Sequence, residues 1–221
     1  MTAPAPTRFP PVTPLHVVPP LEEIDLPGAE HAAADFLSAL GVATDTAATT
    51  DTPARMARAY AEMLSPRSLD LTTFANDEGY DELVLARAIP VHSVCEHHML
   101  PFLGTAHVGY LPGQRILGLS KLARVVELFA RRPQVQERLT TQIADWLHTH
   151  LQPRGVGVVI DAEHLCMTVR GVRSGATSTI TSTMLGTLRT DPRSRAEFLA
   201  LTTTTTTTTT APSTPHGGRR G

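Results

Sequence analysis

Two short segments of the sequence concentrate the residue types that bind transition metals. Cys95, His97 and His98 lie close together, and His164 and Cys166 follow after a long interval. The chain contains only 2 cysteines, and both belong to these segments. Zinc prefers thiolate and imidazole ligands, and a catalytic zinc commonly has three protein ligands and one open position. The sequence therefore predicts a metal site built from the two segments.

The spacing alone does not decide which histidine binds the metal. In a strand Cys95 would share a face with His97, whereas in a turn or a helical start it would share one with His98. If the second segment is a strand, His164 and Cys166 point to the same side, so that one could bind the metal while the other acts as an acid or base. A closed site, formed by both cysteines, His98 and a further histidine, would be structural.

A second candidate site is a group of cations after the sequence GLSK at 118–121. Lys121 is the only lysine among 19 basic residues, and Arg124 lies three positions further on in the same predicted helix. Ser120 could cap this helix and leave backbone N–H groups free for an anion. Cations at the positive end of a helix dipole are unfavourable unless an anion is bound there, although two ordinary surface cations remain the alternative. Arg170 and Arg173 closely follow Cys166, and one of them could be a further phosphate ligand.

Two residues early in a later predicted helix, Gln136 and Glu137, could contact a nucleobase. A carboxylate can accept hydrogen bonds from the N1–H and the exocyclic amine of guanine, but acidic residues in a first helical turn are commonly surface residues favoured by the dipole. Arg55 and Arg58 lie on one face of an earlier predicted helix.

The elements that must position these residues follow from periodicity. Apolar spacing predicts helices at 28–40, 51–64, 120–131, 133–151 and 191–201. β-Branched and alternating segments predict strands at 83–91, 104–111, 156–160, 166–172 and 177–183, with a hairpin from 104–111 into 116–117. This order predicts an α+β fold with an antiparallel sheet.

Composition limits the class of protein. A chain of 221 residues, 41% hydrophobic, suits one folded domain. We expect it at 21–201, between a disordered Pro-rich N-terminus at 1–20 and a disordered Thr-rich tail at 202–221. A net charge of −2 offers no basic field for nucleic acid. With neither a long apolar run nor a signal peptide, no membrane contact is predicted, and we expect a cytoplasmic protein.

Four motifs together closely resemble those of the GTP cyclohydrolase I family. They are SVCEHH at 93–98, GLSK at 118–121, RPQVQERL at 132–139, and HLCM at 164–167 with RGV at 170–172. They occur in the family's order, and the resemblance covers roughly 29–201. The loop at 173–177 is one residue longer than in many relatives, which puts its geometry in doubt.

The resemblance implies a zinc ion held by Cys95, His98 and Cys166. It also implies the tunnelling fold, in which antiparallel sheets and helices of many subunits join into a toroidal homodecamer with sites at subunit boundaries. The implied reaction converts GTP and water to 7,8-dihydroneopterin 3'-triphosphate and formate, the first step of tetrahydrofolate and pterin biosynthesis.

The resemblance also implies roles for the remaining candidates. His97, His164 and Ser120 match catalytic positions. Gln136 and Glu137 match residues that bind guanine. The implied triphosphate contacts are Lys121, Arg124, Arg170, Arg55 and Arg58.

Three other functions are compatible with parts of this pattern. A structural zinc protein could use the same ligands for assembly, and another pterin- or deazapurine-related member of the tunnelling fold fits the motifs less well. A zinc nucleobase deaminase is disfavoured because its Pro-Cys-x-x-Cys pair is absent.

Overall fold

The computed structural model describes residues 23–67, 69, 72–175 and 177–203. The termini predicted to be disordered lie outside this part, except that 202–203 continue the last helix. The predicted domain boundaries therefore stay a prediction.

The described residues form helices and strands that alternate irregularly along the chain. The helices are α1 Leu26–Ala39, α2 Thr52–Met63, α3 Leu119–Ala130, α4 Gln136–Leu151, α5 Leu165–Thr168, α6 Thr187–Thr190 and α7 Pro192–Thr203. The strands are β1 Thr73–Ala75, β2 Val84–Cys95, β3 Pro101–Leu111, β4 Arg115–Leu117, β5 Pro133–Gln134, β6 Gly155–His164 and β7 Ser178–Gly186. None of the helices in the described ranges is long and apolar enough to cross a membrane.

A five-stranded sheet in the order β5-β2-β3-β6-β7 carries the fold. The neighbours β2 and β3, β3 and β6, and β6 and β7 are antiparallel, while the short β5 runs parallel to β2. The prediction of an α+β fold with an antiparallel sheet is therefore confirmed.

The predicted hairpin at 104–117 is wrong. After β3 the chain turns at Pro112 and Gly113, but β4 pairs with β1 in a separate two-stranded sheet. β3 could not accept β4, because both of its edges are already hydrogen-bonded to β2 and β6.

Two other predicted elements differ from the structure near the metal-binding segments. The segment 166–172 is not a strand: β6 ends at His164, opposite Phe102, and the chain continues into the short helix α5. Because β3 begins only at Pro101, a longer β6 would soon have no partner there. Likewise, Pro133 does not begin a helix but pairs with Val94 in β5, and α4 begins at Gln136.

Helices α3 and α4 cover one face of the sheet and close the main core. α3 packs on β2, and α4 packs on β6 and β7. Val156, Val158 and Ile160 of β6 point into this core because side chains at alternate positions of a strand share a face. Their neighbour Val159 belongs to a second apolar cluster on the opposite face.

Phe198 of α7 centres that second cluster. Gly109 of β3 and Gly157 of β6 are paired across the strands, and the Phe198 ring lies on both. A Cβ atom at Gly157 would come within 2.9 Å of the ring. The two glycines thus form the flat surface that admits the ring.

We expect Phe198→Ala to lower the free energy of unfolding by about 3 to 5 kcal/mol, because a fully buried aromatic ring is removed from a site that cannot collapse around the cavity. Thermal unfolding followed by circular dichroism measures this as a lower midpoint. Phe74→Ala is the matched control, since Phe74 is 55% exposed. An unchanged midpoint for Phe198→Ala would contradict the packing described for α7.

Candidate active site

The first metal-binding segment is a tight loop between β2 and β3. The N–H of Cys95 donates to the carbonyl of Leu100 at 2.8 Å, and the N–H of Met99 donates back to the carbonyl of Cys95 at 2.8 Å. Met99 adopts the left-handed conformation, with φ of 53°. The chain therefore turns directly after Cys95, and the following histidines do not continue the alternation of a strand.

Cys166 of α5 meets this loop, and three side chains form a compact cluster. The donor atoms of Cys95, His98 and Cys166 all lie within 4.8 Å of one another. Cys95 Sγ and His98 Nδ1 are 3.8 Å apart, close to the separation of about 3.6 Å expected for a thiolate and an imidazole bound to one tetrahedral zinc. Both cysteines are buried and His98 is exposed. This donor set fits a metal ion.

His97 lies beside the cluster and outside it. Its Nδ1 is also 3.8 Å from Cys95 Sγ, and its Nε2 is 3.8 Å from the Glu96 carboxylate. The mutually close donors nevertheless comprise His98 and not His97. Of the two arrangements that the spacing allowed, the structure thus has the turn.

The surroundings of Cys166 disfavour its ionisation. Burial raises the pKa of Cys166, and the neighbouring Cys95 thiol raises it further. A divalent cation would reverse this preference, because the thiolate is the form that binds metal.

An ion pair that the sequence analysis did not single out joins Glu96 of the loop to Arg138 of α4. Arg138 of α4 donates to the Glu96 carboxylate, to Gln134 Oε1 at 2.9 Å and to the Pro133 carbonyl at 3.1 Å. The hydrogen bond from Arg138 lowers the pKa of Glu96. Gln134 is itself buried and donates to the Phe129 carbonyl at 2.9 Å. The only sequence signal was a pair of opposite charges in two distant motifs.

His164 lies at the end of β6 with its ring fixed on two sides. It stacks on Phe102, with ring centroids 4.6 Å apart and planes 13° apart. Its Nε2 is 2.7 Å from Gln136 Oε1. Burial lowers the pKa of His164, and the Glu137 carboxylate partly opposes this effect.

Gln136 and Glu137 are the first two residues of α4, yet their environments differ. Gln136 is 2% exposed and donates to the backbone carbonyls of Ile160 and Thr179. Glu137 is exposed. Of the two predicted guanine ligands, only Glu137 presents its side chain at the surface.

The predicted phosphate ligands of α3 and of the 170–172 turn have different surroundings. α3 is capped by Gly118 without a side-chain hydrogen bond, so the predicted capping role of Ser120 is wrong, and Ser120 lies inside the first turn. Lys121 is only 8% exposed, whereas Arg124 is exposed. Arg170 is exposed, and its charge slightly lowers the pKa of Cys166.

The two arginines of α2 complete the predicted set. Arg55 forms an exposed ion pair with Asp51 at 3.0 Å, and Arg58 is exposed. α2 reaches the metal-binding loop through Tyr60, whose hydroxyl donates to the Met99 carbonyl at 2.9 Å. Among the described residues, no hydrogen bond or ion pair joins the cations of α2 or α3 to the three cluster residues.

Comparison with known proteins identifies relatives over most of the chain. The family described as GTP cyclohydrolase I matches residues 29–203. A protein named GTP cyclohydrolase 1 from Mycobacteroides abscessus is 54% identical over 178 residues, which cover 78% of this chain and 87% of that protein. Proteins of the same name from Mycobacterium ulcerans and Thermobifida fusca are 53% and 51% identical, and the matches cover 80% of this chain in each case and 90% and 88% of the relatives.

Metal content distinguishes the two histidines of the loop. After zinc loading and dialysis, we expect about one zinc per chain in the unmodified protein and in His97→Ala, because His97 lies outside the cluster. His98→Ala and Cys166→Ser should lose most of the metal, as measured by mass spectrometry of the elements. Equal loss from His97→Ala and His98→Ala would contradict the assignment of His98.

Proposed function

The chain belongs to the GTP cyclohydrolase I family, and we propose that it hydrolyses GTP to 7,8-dihydroneopterin 3'-triphosphate and formate, the reaction that begins pterin and folate biosynthesis. The observation that carries this proposal is the cluster of Cys95, His98 and Cys166 with the half-buried imidazole of His164 next to it in the chain. Hydrolysis of an aromatic ring requires a metal site and, beside it, a proton donor or acceptor that is not itself a metal ligand.

We propose that the resident metal is zinc. Two thiols and one imidazole leave room for a fourth ligand, as in catalytic zinc sites. When bound, zinc supplies a Lewis acid that lowers the pKa of a water molecule.

His164 is the proposed proton donor of the first step. Water adds to C8 of the purine, His164 protonates the neighbouring ring nitrogen, and the C8–N bond then breaks to open the imidazole ring. A second hydrolysis releases C8 as formate and frees the amine. The ribose opens with help from Ser120, rearranges and condenses with this amine. Condensation returns one water, so the whole sequence consumes one.

Substrate recognition divides between a carboxylate and a group of cations. The exposed Glu137 carboxylate suits the N1–H and exocyclic amine of guanine, which require two acceptor sites. The role of Gln136 as a second guanine ligand stays a prediction. Proposed triphosphate contacts are Lys121, Arg124, Arg170, Arg55 and Arg58. His97, exposed beside the cluster, is a further catalytic candidate.

We also propose the tunnelling fold and a toroidal homodecamer with sites shared between subunits. Among the described residues of one chain, no hydrogen bond or ion pair links the cations of α3 to the metal cluster, which is consistent with their serving the site of another copy. The strand β7 supports an assembly as well, because it lies at the edge of the sheet formed by the described residues and its Ile180 is 66% exposed.

The reaction itself is testable directly. Zinc-loaded protein incubated with GTP should release formate and a pterin in equal amounts, with formate assayed enzymatically and the pterin by fluorescence after oxidation. Cys166→Ser should lose both products, because it removes a metal ligand. An intact, zinc-bound protein that releases no formate would exclude this function and favour a structural role for the metal.

Shared sites predict complementation between two inactive variants. His164→Ala and Lys121→Ala should each lose at least about tenfold in turnover. If each site takes His164 from one subunit and Lys121 from its neighbour, an equal mixture of the two variants should recover about a quarter of the full activity after reversible dissociation and reassembly. In such a mixture about a quarter of the sites receive both intact residues. No recovery, with mixed assemblies confirmed by mass spectrometry, would mean that each chain forms its own site.

A further inference from the structure

We propose that Gln136 is a positioning residue for His164: its amide carbonyl accepts a hydrogen bond from Nε2–H of the imidazole and so fixes the orientation of the ring, with Nδ1 as the nitrogen left for the substrate. This inference rests on the proposed function. It departs from the sequence-based expectation that Gln136 contacts guanine.

The orientation of the Gln136 amide follows from its buried partners. Its Nε2 lies 2.8 Å from the Thr179 carbonyl and 3.1 Å from the Ile160 carbonyl. Carbonyl oxygens only accept hydrogen bonds, so the amide nitrogen must face them. The Thr181 hydroxyl oxygen lies 3.2 Å from the same nitrogen and is a third possible acceptor. The Oε1 atom is therefore the one that faces His164.

The orientation of the amide in turn decides the tautomer of His164. Oε1 can only accept, and it lies 2.7 Å from His164 Nε2, so Nε2 carries the proton. In the neutral ring Nδ1 is then the unprotonated nitrogen, and no hydrogen bond reaches it from the described part of the chain.

Two contacts hold the ring in this orientation. Stacking on the fully buried Phe102 fixes the plane of the ring, but it would allow a half-turn that exchanges the edges of the ring. The hydrogen bond to Gln136 prevents that half-turn. Gln136 can resist it because its own amide is tied to both β6 and β7.

The burial of Gln136 argues against a direct contact with the base. With 2% of its surface exposed, the residue would have to give up its hydrogen bonds to the two backbone carbonyls in order to reach a ligand. Glu137 is the next residue and is exposed, so the base can be bound without disturbing the support of His164.

The test separates positioning from binding. In Gln136→Leu we expect kcat to fall about 10- to 100-fold with bound zinc unchanged, the usual effect of removing the partner that orients a functional histidine. The affinity for GTP is measured by equilibrium dialysis in the His164→Ala background, where turnover does not interfere. There Gln136→Leu should change the Kd by less than about twofold, because Gln136 acts only through His164.

Two further variants control for disruption of the site. Gln136→Glu should recover most of the kcat, because burial between two carbonyls favours the neutral acid, whose C=O still accepts from His164. Thr140→Val removes a hydrogen bond of 2.6 Å to Thr181 and one of 2.8 Å to the main-chain carbonyl of Gln136, but it keeps the contact between Gln136 Oε1 and His164, and should keep kcat near that of the unmodified protein.

Three results would overturn the inference. They are a Kd for GTP raised tenfold or more by Gln136→Leu in the His164→Ala background, a Gln136→Glu variant as slow as Gln136→Leu, or a Thr140→Val variant with the same defect. If the unmodified protein releases no formate, the proposed function fails and the inference fails with it. An active protein whose Gln136→Leu variant loses GTP binding instead overturns the inference alone.

Discussion

The antiparallel ladder between β3 and β6 determines where the candidate site lies. Its last pair joins Phe102 to His164, at the end of the sheet where β2 also finishes at Cys95. Once β6 has no further partner, the chain leaves the sheet and α5 brings Cys166 towards the loop after Cys95. The metal ligands and the acid–base candidate are thus close because three strands terminate together. Changing that register by one residue would turn His164 to the other face of the sheet.

The polar groups around the site are held by partners that are themselves held. Glu96 is paired with Arg138, Arg138 is bonded to Gln134, and Gln134 is anchored on the buried carbonyl of Phe129. Gln136 is anchored in the same way on β6 and β7. Gln134 and Gln136 are buried, whereas Glu96 and Arg138 are exposed. Because buried polar groups are costly to leave unpaired, the hydrogen bonds of the two glutamines restrict their side chains, while the ion pair between Glu96 and Arg138 lies at the surface.

The sequence predicted the chemistry of the site better than its geometry. Clustering of both cysteines with histidines predicted a metal site, and residue type alone carried that inference. The choice between His97 and His98 depended on whether the strand continued past Cys95, which Met99 and the pairing of β3 decide. The partners of Gln136 lie on strands far along the chain, so no local pattern could predict them. The hairpin failed for a related reason, since a turn sequence does not show that a strand is already paired on both edges.

Lys121, a proposed triphosphate contact, lies at a position that is unfavourable for its own helix. A cation in the first turn opposes the helix dipole, and α3 has neither an acidic residue there nor a capping side chain to compensate. Lys121 is nevertheless only 8% exposed, so packing restricts its side chain. A restricted point charge loses little conformational entropy when an anion arrives. If Lys121 contacts the triphosphate as proposed, a placement that is unfavourable in the free protein becomes favourable in the complex, which is the behaviour expected of a residue selected for its ligand and not for the stability of α3.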